Sequence, residues 1–486
     1  MTSWGAYSAN ALITRDQTLD FCGLEQAVGR LARALCEQGL VAGDRVASWL
    51  PKTVEACLLP LAAARAGFIH VPINPALRRA QVDHILADSG SALLITAPSR
   101  AEGTAFSCPI WYERDVRTAW RAGAVMPPSS HDPDMLCAIL YTSGSTGRPK
   151  GVMLSHANLW LGAISVAHYL GLTPDDRVLG VLPLSFDYGQ NQLLSTWAAG
   201  ACAVPLDYLT ARDVIKAVER HNITTLAGVP PLWVQLTEAS WPAETAAQLK
   251  RLTNSGGVLT APLIGAMRRS FPAADIVPMY GLTEAFRSTW LAPDLVASHP
   301  TSMGQAIPFA EILVVRPDGT IASDNEPGEL VHAGPLVAKG YWQDEERTAL
   351  RFKPAPAQSV YGGLSVWSGD TVRRDAQGLH YFVGRDDEMI KCSGNRISPT
   401  EIEEAAVASG VVAEAVAFGV ADERLGQAII LVARPIGDDA EAVLTRWFRA
   451  EQPGFMMPKQ VIWRDAMPRN ANGKLDRTNI KAEYSA

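Results

Sequence analysis

A glycine- and hydroxyl-rich stretch, YTSGSTGRPKG at residues 141–151, follows an apolar strand candidate at residues 136–140. Small residues in succession let backbone N–H groups converge on phosphate oxygens, because no Cβ atoms stand in the way. Hydroxyl donors come from Thr142, Ser143, Ser145 and Thr146, and Lys150 adds a balancing positive charge. The Gly-Lys-Ser/Thr of P-loop nucleotidases is absent. The stretch therefore predicts a phosphate-binding loop of a different type from that of an ordinary ATPase or kinase.

The chain on both sides of this loop alternates helical and strand patterns. Apolar residues at helical spacing run from Leu24 to Leu35, a strand pattern follows at residues 45–50, and an apolar helix is predicted over Val54 to Ala66. Further strands are predicted at residues 68–72, 176–183, 201–205, 224–228 and 276–279. This rhythm predicts a multidomain α/β fold.

The pattern changes in the second half of the chain. Residues 312–341 carry short β-rich segments broken by Pro-Asp-Gly and Glu-Pro-Gly turns. Beyond them we predict a helix from Pro399, strands at 413–420 and 428–434, a helix at 440–451 and a final loop. We therefore place a boundary near Asp387, which leaves an N-terminal region at residues 1–386 and a C-terminal domain at residues 387–486.

Composition excludes several classes of protein. The 486 residues carry 43 Lys+Arg and 50 Asp+Glu, a net charge of −7 with no basic block, which disfavours a nucleic-acid partner. Seven scattered cysteines without a C-x-x-C pair indicate reduced thiols, and the nine histidines form no zinc motif. The most apolar helix candidate, residues 56–64, is too short to insert in a membrane. Without an export pattern at residues 1–16, we expect a soluble, cytoplasmic protein.

Five further motifs follow the glycine-rich loop in a fixed order. They are YGLTE at 280–284, SGD at 368–370, GRDD at 384–387, KCSG at 391–394 and NGK at 472–474. Together with the loop they resemble the adenylate-forming superfamily of acyl-CoA synthetases, adenylation domains and beetle luciferases, over nearly the whole chain from Leu19 to Lys481. The details LSFDYG at 184–189 and EAFRS at 284–288 look like the bacterial acyl-CoA ligases found beside exosortase systems.

The resemblance implies both a fold and a two-step reaction. The expected fold is a large N-terminal region of αβ layers plus a distorted β-barrel, followed by a small α+β lid. In the first step a carboxylate attacks the α-phosphorus of ATP and pyrophosphate leaves, with Mg²⁺ as the metal. In the second step the acyl-adenylate reacts with the thiol of CoA or of the phosphopantetheine on a carrier protein. Because the first step brings two anions together, the site must neutralise charge.

Carried over motif by motif, the resemblance assigns roles to individual residues. The expected catalytic residues are Lys474, Thr283 and Glu284, with Glu284 as the Mg²⁺-linked carboxylate. Tyr280 is expected to face adenine, and Asp370 to accept hydrogen bonds from the ribose with Arg385 beside it. The expected ATP- and AMP-binding residues are Thr142, Ser143, Gly144, Ser145, Thr146, Gly147, Lys150, Gly256, Tyr280, Gly281, Asp370 and Arg385.

The second step needs a site that is no longer closed on ATP. In the family the C-terminal domain rotates about a residue that matches Asp387, which removes Lys474 and brings in the loop containing Gly394. Gly394 is expected to let the pantetheine arm pass close to the backbone, although an ordinary turn glycine is an equal interpretation of the residue itself.

The acyl pocket departs from the fatty-acid pattern. Where fatty and aryl ligases carry Phe-His, this chain has Phe186-Asp187, as amino-acid-adenylating domains do. The expected pocket residues are Phe186, Asp187, Tyr188, Asn191, Thr253, Ser255, Met279, Arg287 and Ser288. Because most are polar, we expect a small polar acid, favour an amino acid, and consider an acidic side chain facing Arg287. Alternatively, Asp187 and Arg287 pair with each other and an ordinary carboxylic acid binds.

The sequence leaves the acceptor and the rival functions open. No fused carrier domain follows Lys474, so we expect any carrier protein to be a separate chain, and CoA remains the other acceptor. One alternative is an acyl-CoA synthetase for an ordinary fatty or aryl acid. Another is a non-catalytic adenylate-binding protein, which is expected to have lost Lys474 or Glu284; both residues are present.

Overall fold

The structure is a computed structural model that describes residues 5–101, 105–142, 149–385, 388–392, 395–422, 425–452 and 454–484. Its strands are β1 (Asn10–Ile13), β2 (Thr18–Asp20), β3 (Arg45–Trp49), β4 (Ile69–Pro72), β5 (Leu93–Thr96), β6 (Ile110–Tyr112), β7 (Leu136–Thr142), β8 (Lys150–Ser155), β9 (Arg177–Gly180), β10 (Cys202–Pro205), β11 (Thr225–Gly228), β12 (Arg251–Asn254), β13 (Asp275–Tyr280), β14 (Thr289–Trp290), β15 (Ser302–Ala306), β16 (Glu311–Val315), β17 (Gly328–Ala333), β18 (Phe352–Pro354), β19 (Leu364–Arg374), β20 (His380–Arg385), β21 (Ile390–Cys392), β22 (Asn395–Ile397), β23 (Val412–Asp422), β24 (Gly426–Pro435) and β25 (Gln460–Trp463).

The helices lie between these strands in the order that a layered α/β protein requires. They are α1 (Phe21–Cys36), α2 (Val54–Ala66), α3 (Arg79–Ser89), α4 (Pro98–Ala101), α5 (Glu113–Ala122), α6 (His156–Tyr169), α7 (Asp187–Ala198), α8 (Ala211–His221), α9 (Pro230–Glu238), α10 (Ala243–Gln248), α11 (Ala261–Ser270), α12 (Glu345–Arg351), α13 (Pro399–Ala408), α14 (Ala440–Glu451) and α15 (Arg477–Tyr484).

The largest sheet contains 14 strands and runs β16-β17-β19-β20-β15-β14-β13-β12-β11-β9-β10-β1-β2, with β18 paired to β19. Neighbouring strands are parallel in one half of this sheet, which contains β13, β12, β11, β9, β10 and β1. Neighbouring strands are antiparallel in the other half, which contains β14, β15, β20, β19, β17 and β16. The carboxyl ends of β12 and β13 therefore meet at one edge, where open α/β sheets bind ligands.

The expected distorted barrel does not form a closed barrel among the described strands. The antiparallel strands β14 to β20 continue the parallel sheet instead, because β14 pairs with β13 at Met279–Trp290 and Tyr280–Thr289. A second sheet of six strands runs β6-β5-β3-β4-β7-β8, and its last pair, β7 and β8, is the hairpin that carries the glycine-rich loop. The mixed α/β multidomain fold predicted from sequence is confirmed.

The C-terminal part has its own sheet and its own core. Strands β22, β21, β24 and β23 form the sheet with β25 added parallel to β24, and α13 and α14 pack on it through Ile402, Leu444 and Phe448. The expected boundary at 386/387 falls between β20 of the large sheet and β21 of this one, outside the described residues. The final loop predicted after residue 451 is wrong, since β25 and α15 form there; a four-residue strand and a helix that buries only Ile480 leave little periodic signal.

Capping explains why some helix bounds could be predicted to the residue. Thr53 accepts a hydrogen bond from the Ala56 N–H at the start of α2, and Gly67 ends that helix in the left-handed conformation at φ 79°. None of the seven cysteines, all of which lie in the described part of the chain, forms a disulfide bond. Within the described ranges, the structure contains no helix of the length and apolarity needed to cross a bilayer.

Candidate active site

A cleft of about 1030 Å³ opens between the carboxyl ends of β12 and β13 and the C-terminal sheet. Six of the residues expected to bind nucleotide line it, namely Thr142, Lys150, Gly256, Tyr280, Gly281 and Asp370. Ser143, Gly144, Ser145, Thr146 and Gly147 lie outside the described residues. The hairpin of β7 and β8 thus brings both ends of the glycine-rich loop to the mouth of the cleft.

Glu284 lies in a single 3₁₀ turn, Thr283–Ala285, just beyond β13, and its side chain is 14% exposed. Lys150 Nζ donates to Glu284 Oε1 at 2.8 Å, and the Tyr341 hydroxyl donates to the same oxygen at 2.7 Å. Burial opposes ionisation of Glu284, but the Lys150 charge and these two hydrogen bonds outweigh it and lower the pKa of the carboxyl. An ionised, enclosed carboxylate beside a phosphate-binding loop fits Mg²⁺, which prefers oxygen ligands.

Tyr341 is expected to strengthen the binding of a divalent ion by Glu284. Replacing Tyr341 with phenylalanine keeps the ring, which packs edge-on against Phe352 at 5.4 Å, and removes the hydrogen bond that orients the carboxylate. Losing a hydrogen bond to a charged group costs about 1.5 to 3 kcal/mol. We therefore expect the Mg²⁺ concentration that gives half-maximal activity to rise about tenfold, as measured by titration with Mg²⁺ at saturating ATP. An unchanged Mg²⁺ requirement would contradict this role, and Tyr361→Phe, at a half-exposed ring, is the matched control.

Asp370 lies in β19 opposite Arg385 of β20 and is buried on the cleft wall. Its backbone N–H donates to the Ser368 hydroxyl at 3.0 Å, and the Tyr280 hydroxyl donates to its carboxylate. The hydroxyl that Ser368 retains is thus used to fix the Asp370 backbone. The arrangement places the ring of Tyr280 and the carboxylate of Asp370 together, as a nucleoside site requires.

Lys474 enters the cleft from the C-terminal domain on a turn that Gly473 closes at φ 79°. Its Nζ lies 4.5 Å from the centre of the Phe186 ring, and its side chain packs so closely on Gly256 that a Cβ there would lie 2.4 Å from Lys474 Cε. Enclosure lowers the pKa of this half-buried lysine, against the pull of the Asp187 carboxylate. The lysine, Thr283, Glu284 and Asp187 therefore share one cleft.

Contacts across the cleft hold the Lys474 turn in place. Asn74 Nδ2, on the N-terminal side, donates to the Ala471 carbonyl at 2.7 Å and to Asn472 Oδ1 at 3.0 Å. Further along, Arg434 of β24 pairs with Glu238 of α9 at 2.7 Å. The C-terminal domain is thus docked in an orientation that presents Lys474 to the nucleotide side.

Glu404, on α13, is expected to make this docking sensitive to pH. It is half-buried, lines the cleft and lies on the helix that packs against α11. Burial, helped by the charges of Glu403 and Glu401, raises its pKa from 4.5 to about 7. Because the folded protein holds this proton more tightly than the unfolded chain, the free energy of unfolding falls as pH rises from about 4.5 through about 7.

The test of this prediction is Glu404→Gln, which removes the titrating group and keeps its shape. Between pH 5 and pH 8 the free energy of unfolding of the variant is expected to fall by less than that of the wild type, with a difference on the order of 1 kcal/mol after screening by water. Glu451→Gln, at an exposed carboxylate of the same domain, is the control. Parallel pH profiles of Glu404→Gln and the wild type would contradict the prediction.

Asp187 and Arg287 meet at the inner wall of the cleft and form an ion pair. Arg287 Nη1 lies 3.5 Å from Asp187 Oδ2, and the two side chains are 2% and 4% exposed. Arg287 Nη1 also donates to the Ser255 hydroxyl at 3.4 Å, and the guanidinium lies 4.7 Å from the centre of the Tyr188 ring. Of the two partners considered for Asp187, the structure thus pairs it with Arg287.

The other expected pocket residues divide between two cavities. Phe186, Asp187 and Met279 line the cleft, and Tyr188, Asn191, Thr253, Met279 and Arg287 line a smaller inner cavity of about 20 Å³ behind it. The Tyr188 hydroxyl bonds the Thr253 hydroxyl at 2.6 Å. Ser288 bonds His332 Nδ1 at 3.0 Å and borders neither cavity.

Sequence patterns did not single out Tyr341 or Asn74. Tyr341 follows Gly340 at the end of the β-rich segment, and Asn74 follows a short strand; each is separated from its partner by tens to hundreds of residues. A lone tyrosine or asparagine carries no periodicity or motif, so contacts in the folded chain are needed to find them. Asp387 and Gly394, expected at the hinge and the pantetheine tunnel, lie outside the described residues, as does the side chain of Arg385.

The pattern of AMP-binding enzymes matches residues 5–342, and that of the AMP-binding enzyme C-terminal domain matches residues 401–474. Feruloyl-CoA synthase from Amycolatopsis is 30% identical over 478 residues, which cover 96% of this chain and 94% of the relative. L-proline–[L-prolyl-carrier protein] ligase from Pseudomonas fluorescens is 29% identical over 490 residues, with 96% and 94% covered. The finer likeness to exosortase-associated ligases stays a prediction.

Solved structures agree with this family. ATP-bound MatB from Rhodopseudomonas palustris has a TM-score of 0.88 at 27% identity, covering 98% of this chain and 96% of that one. The o-succinylbenzoate CoA synthetase MenE from Bacillus subtilis, in complex with its acyl-adenylate intermediate, has a TM-score of 0.85 at 27% identity, with 98% and 95% covered. The chain is therefore an AMP-forming acid–thiol ligase that belongs to the AMP-binding enzymes, the adenylate-forming superfamily of acyl-CoA synthetases and adenylation enzymes.

Proposed function

We propose that this enzyme activates a small polar carboxylic acid with ATP and transfers the acyl group to a pantetheine thiol. The observation that carries the proposal is the position of Lys474, which reaches from the C-terminal domain to the rim of a polar acyl pocket headed by Asp187 and Arg287. In this arrangement the lysine and the pocket face the same space in the cleft.

In the first step a carboxylate oxygen bonds to the α-phosphorus of ATP and pyrophosphate leaves. Lys474 supplies positive charge where two anions approach each other, and its enclosure strengthens that attraction by excluding water. Thr283, whose hydroxyl lies 3.5 Å from Asp187 Oδ1, would hydrogen-bond the α-phosphate. Glu284 and the glycine-rich loop would hold Mg²⁺ with ATP, and the ion would neutralise phosphate charge.

In the second step the thiol displaces AMP from the acyl-adenylate. We propose that the C-terminal domain rotates about Asp387, which withdraws Lys474 and admits the pantetheine arm past Gly394. The contacts that must break include the Asn74 bonds to the Lys474 turn. The acceptor is CoA or the phosphopantetheine of a separate carrier protein, as the relatives that make feruloyl-CoA and load a prolyl carrier illustrate.

An amino acid is the second candidate substrate, because Asp187 lines the cleft at the position where amino-acid-adenylating domains bind the substrate ammonium. Its pairing with Arg287 weakens this candidate, since a carboxylate that already has a cationic partner gains less from an ammonium. An ordinary fatty acid is disfavoured by the inner cavity of about 20 Å³, which has no room for an alkyl chain.

Pyrophosphate exchange on purified protein with Mg²⁺ and ATP tests the proposal. The panel holds short polar acids, proteinogenic and β-amino acids, and short, long and aryl unsubstituted acids. We expect exchange with short polar acids, and exchange with amino acids would identify Asp187 as an ammonium ligand. Exchange with long aliphatic acids alone would contradict the proposal, and AMP binding without any exchange would favour a non-catalytic adenylate binder.

A further inference from the structure

Three of the polar residues that line the inner cavity behind the ion pair have hydrogen-bond donors without a partner. These three residues are Arg287, Asn191 and Gln192, which are 2%, 2% and 6% exposed. The lining also includes the hydroxyl-bearing residues Tyr169, Tyr188, Ser195, Thr225 and Thr253 and aliphatic side chains such as Val166 and Leu170. At about 20 Å³ the cavity has room for a small polar group.

The unpartnered polar atoms at this cavity are mostly hydrogen-bond donors. Among the described residues, Arg287 Nε and Nη2, Asn191 Nδ2 and Gln192 Nε2 have no hydrogen-bond partner, and the Gln192 Oε1 acceptor has none either. Buried donors without acceptors are costly, and a guanidinium is the costliest of the three groups. A bound group that is rich in acceptors and negatively charged would satisfy them. A carboxylate meets both conditions and matches the paired Nε and Nη2 edge of an arginine.

The ion pair places this cavity next to the reacting end of the substrate. Asp187 lines the cleft, Arg287 lines the inner cavity, and their charged atoms are 3.5 Å apart. Met279 borders both spaces. The charges of Asp187 and Arg287 both act on Lys474, so a short acid whose reacting carboxylate lies beside this lysine can extend past the ion pair towards the guanidinium.

The contacts around the Arg287 guanidinium leave one of its edges to the same substrate. Asp187 occupies one side of the guanidinium through Nη1, and the rings of Tyr188 and Phe286 lie 4.7 Å and 5.8 Å from its carbon. These contacts fix the guanidinium so that its Nε and Nη2 edge remains for a ligand.

We propose that the substrate is a short dicarboxylic acid whose second carboxylate is bound by Arg287, with Asn191 and Gln192 as further donors. The inference rests on the proposed function and names the class of acid that the enzyme activates. It makes Arg287 a specificity-determining residue and gives Asn191 and Gln192 a role in binding.

Matched acids of equal chain length test the inference by pyrophosphate exchange. Malonate, succinate and glutarate are each compared with the monoamide and with the unsubstituted monoacid of the same length. For at least one chain length, kcat/KM for the dicarboxylate is expected to exceed kcat/KM for the monoamide and for the monoacid about a hundredfold. A monoamide or monoacid that equals its dicarboxylate at every length would overturn the inference and leave the proposed function standing. Lack of exchange with every acid would contradict both.

Two variants test whether the preference for a dicarboxylate depends on the inner cavity. Arg287→Lys keeps a cation beside Asp187 and shortens its reach, and is expected to lower kcat/KM for the preferred dicarboxylate, through KM, at least tenfold more than it lowers kcat/KM for the monoacid of the same length. Asn191→Leu, which retains the size of the side chain, is expected to have the same signature with a smaller effect. Arg268→Lys, at an exposed position of α11, is the control. An equal loss with dicarboxylate and monoacid in both variants would show a structural role only and overturn the assignment.

Discussion

Lys474→Ala is expected to lower the rate of acyl-adenylate formation about a hundredfold to a thousandfold. The ammonium is the cation that the C-terminal domain brings into the cleft beside Phe186, and its enclosure strengthens its attraction for the two anions that react. Removing one such electrostatic contact costs about 3 to 4 kcal/mol in the transition state. Pyrophosphate exchange at saturating ATP and acid measures the loss.

Comparing the two steps gives a sharper control, because Lys474 is expected to act in acyl-adenylate formation and not in thioester formation. If the domain withdraws this lysine before the thiol reacts, Lys474→Ala is expected to convert a chemically made acyl-adenylate to the thioester at close to the wild-type rate. Lys481→Ala, an exposed lysine of α15, is expected to retain both rates. An equal loss in both steps, or wild-type exchange in Lys474→Ala, would contradict the assignment.

Gly189→Ala is expected to destabilise the protein by about 3 kcal/mol or more and to abolish activity. A Cβ at this position in α7 would lie 2.0 Å from the Pro183 carbonyl oxygen and 2.8 Å from its carbon, and backbone atoms cannot move aside as a flexible side chain can. All twelve residues of α7 are buried, so the helix cannot shift without disturbing the core. It carries Asp187 and Asn191, so both cavities change with it.

Thermal unfolding of Gly189→Ala measures this effect, with Gly265→Ala as a matched helical control. A Cβ at Gly265 in α11 would meet only Arg269 Nη1, at an ordinary 3.5 Å. Alanine there is expected to raise the free energy of unfolding by up to about 1 kcal/mol, because alanine favours helix. A wild-type melting temperature for Gly189→Ala would contradict the close approach between α7 and residue 183.

Local sequence signals predicted the regular elements where the signals were complete. Helices α2 and α14 begin and end at the predicted residues, and α2 has both an N-cap threonine and a left-handed glycine after its last turn. Short elements such as β25 could not be predicted, since four residues carry too little pattern. That the strands expected in a distorted barrel continue the parallel sheet could not be predicted, because strand patterns do not state which strands pair.

The residues of the candidate site could be predicted from the motifs, and the contacts between their side chains could not. The motifs that carry Lys150, Glu284 and Lys474 are separated by up to 324 positions in the chain, and the fold brings them to one cleft as the resemblance implied. Whether Asp187 faces an ammonium or a guanidinium depends on how α7 lies against the turn after β13, which no local pattern encodes. The same holds for Tyr341, which orients Glu284 from a distant loop.

The measurement that tests the account most directly is mass spectrometry of the acyl-adenylate formed without thiol. Wild-type enzyme is incubated with Mg²⁺, ATP and an equimolar mixture of short dicarboxylic, amino, aryl and long aliphatic acids, beside Lys474→Ala. The account predicts one dominant acyl-AMP, from a short polar acid, that is absent with Lys474→Ala. A dominant long-chain or aryl acyl-AMP, or equal product from the variant, would contradict it.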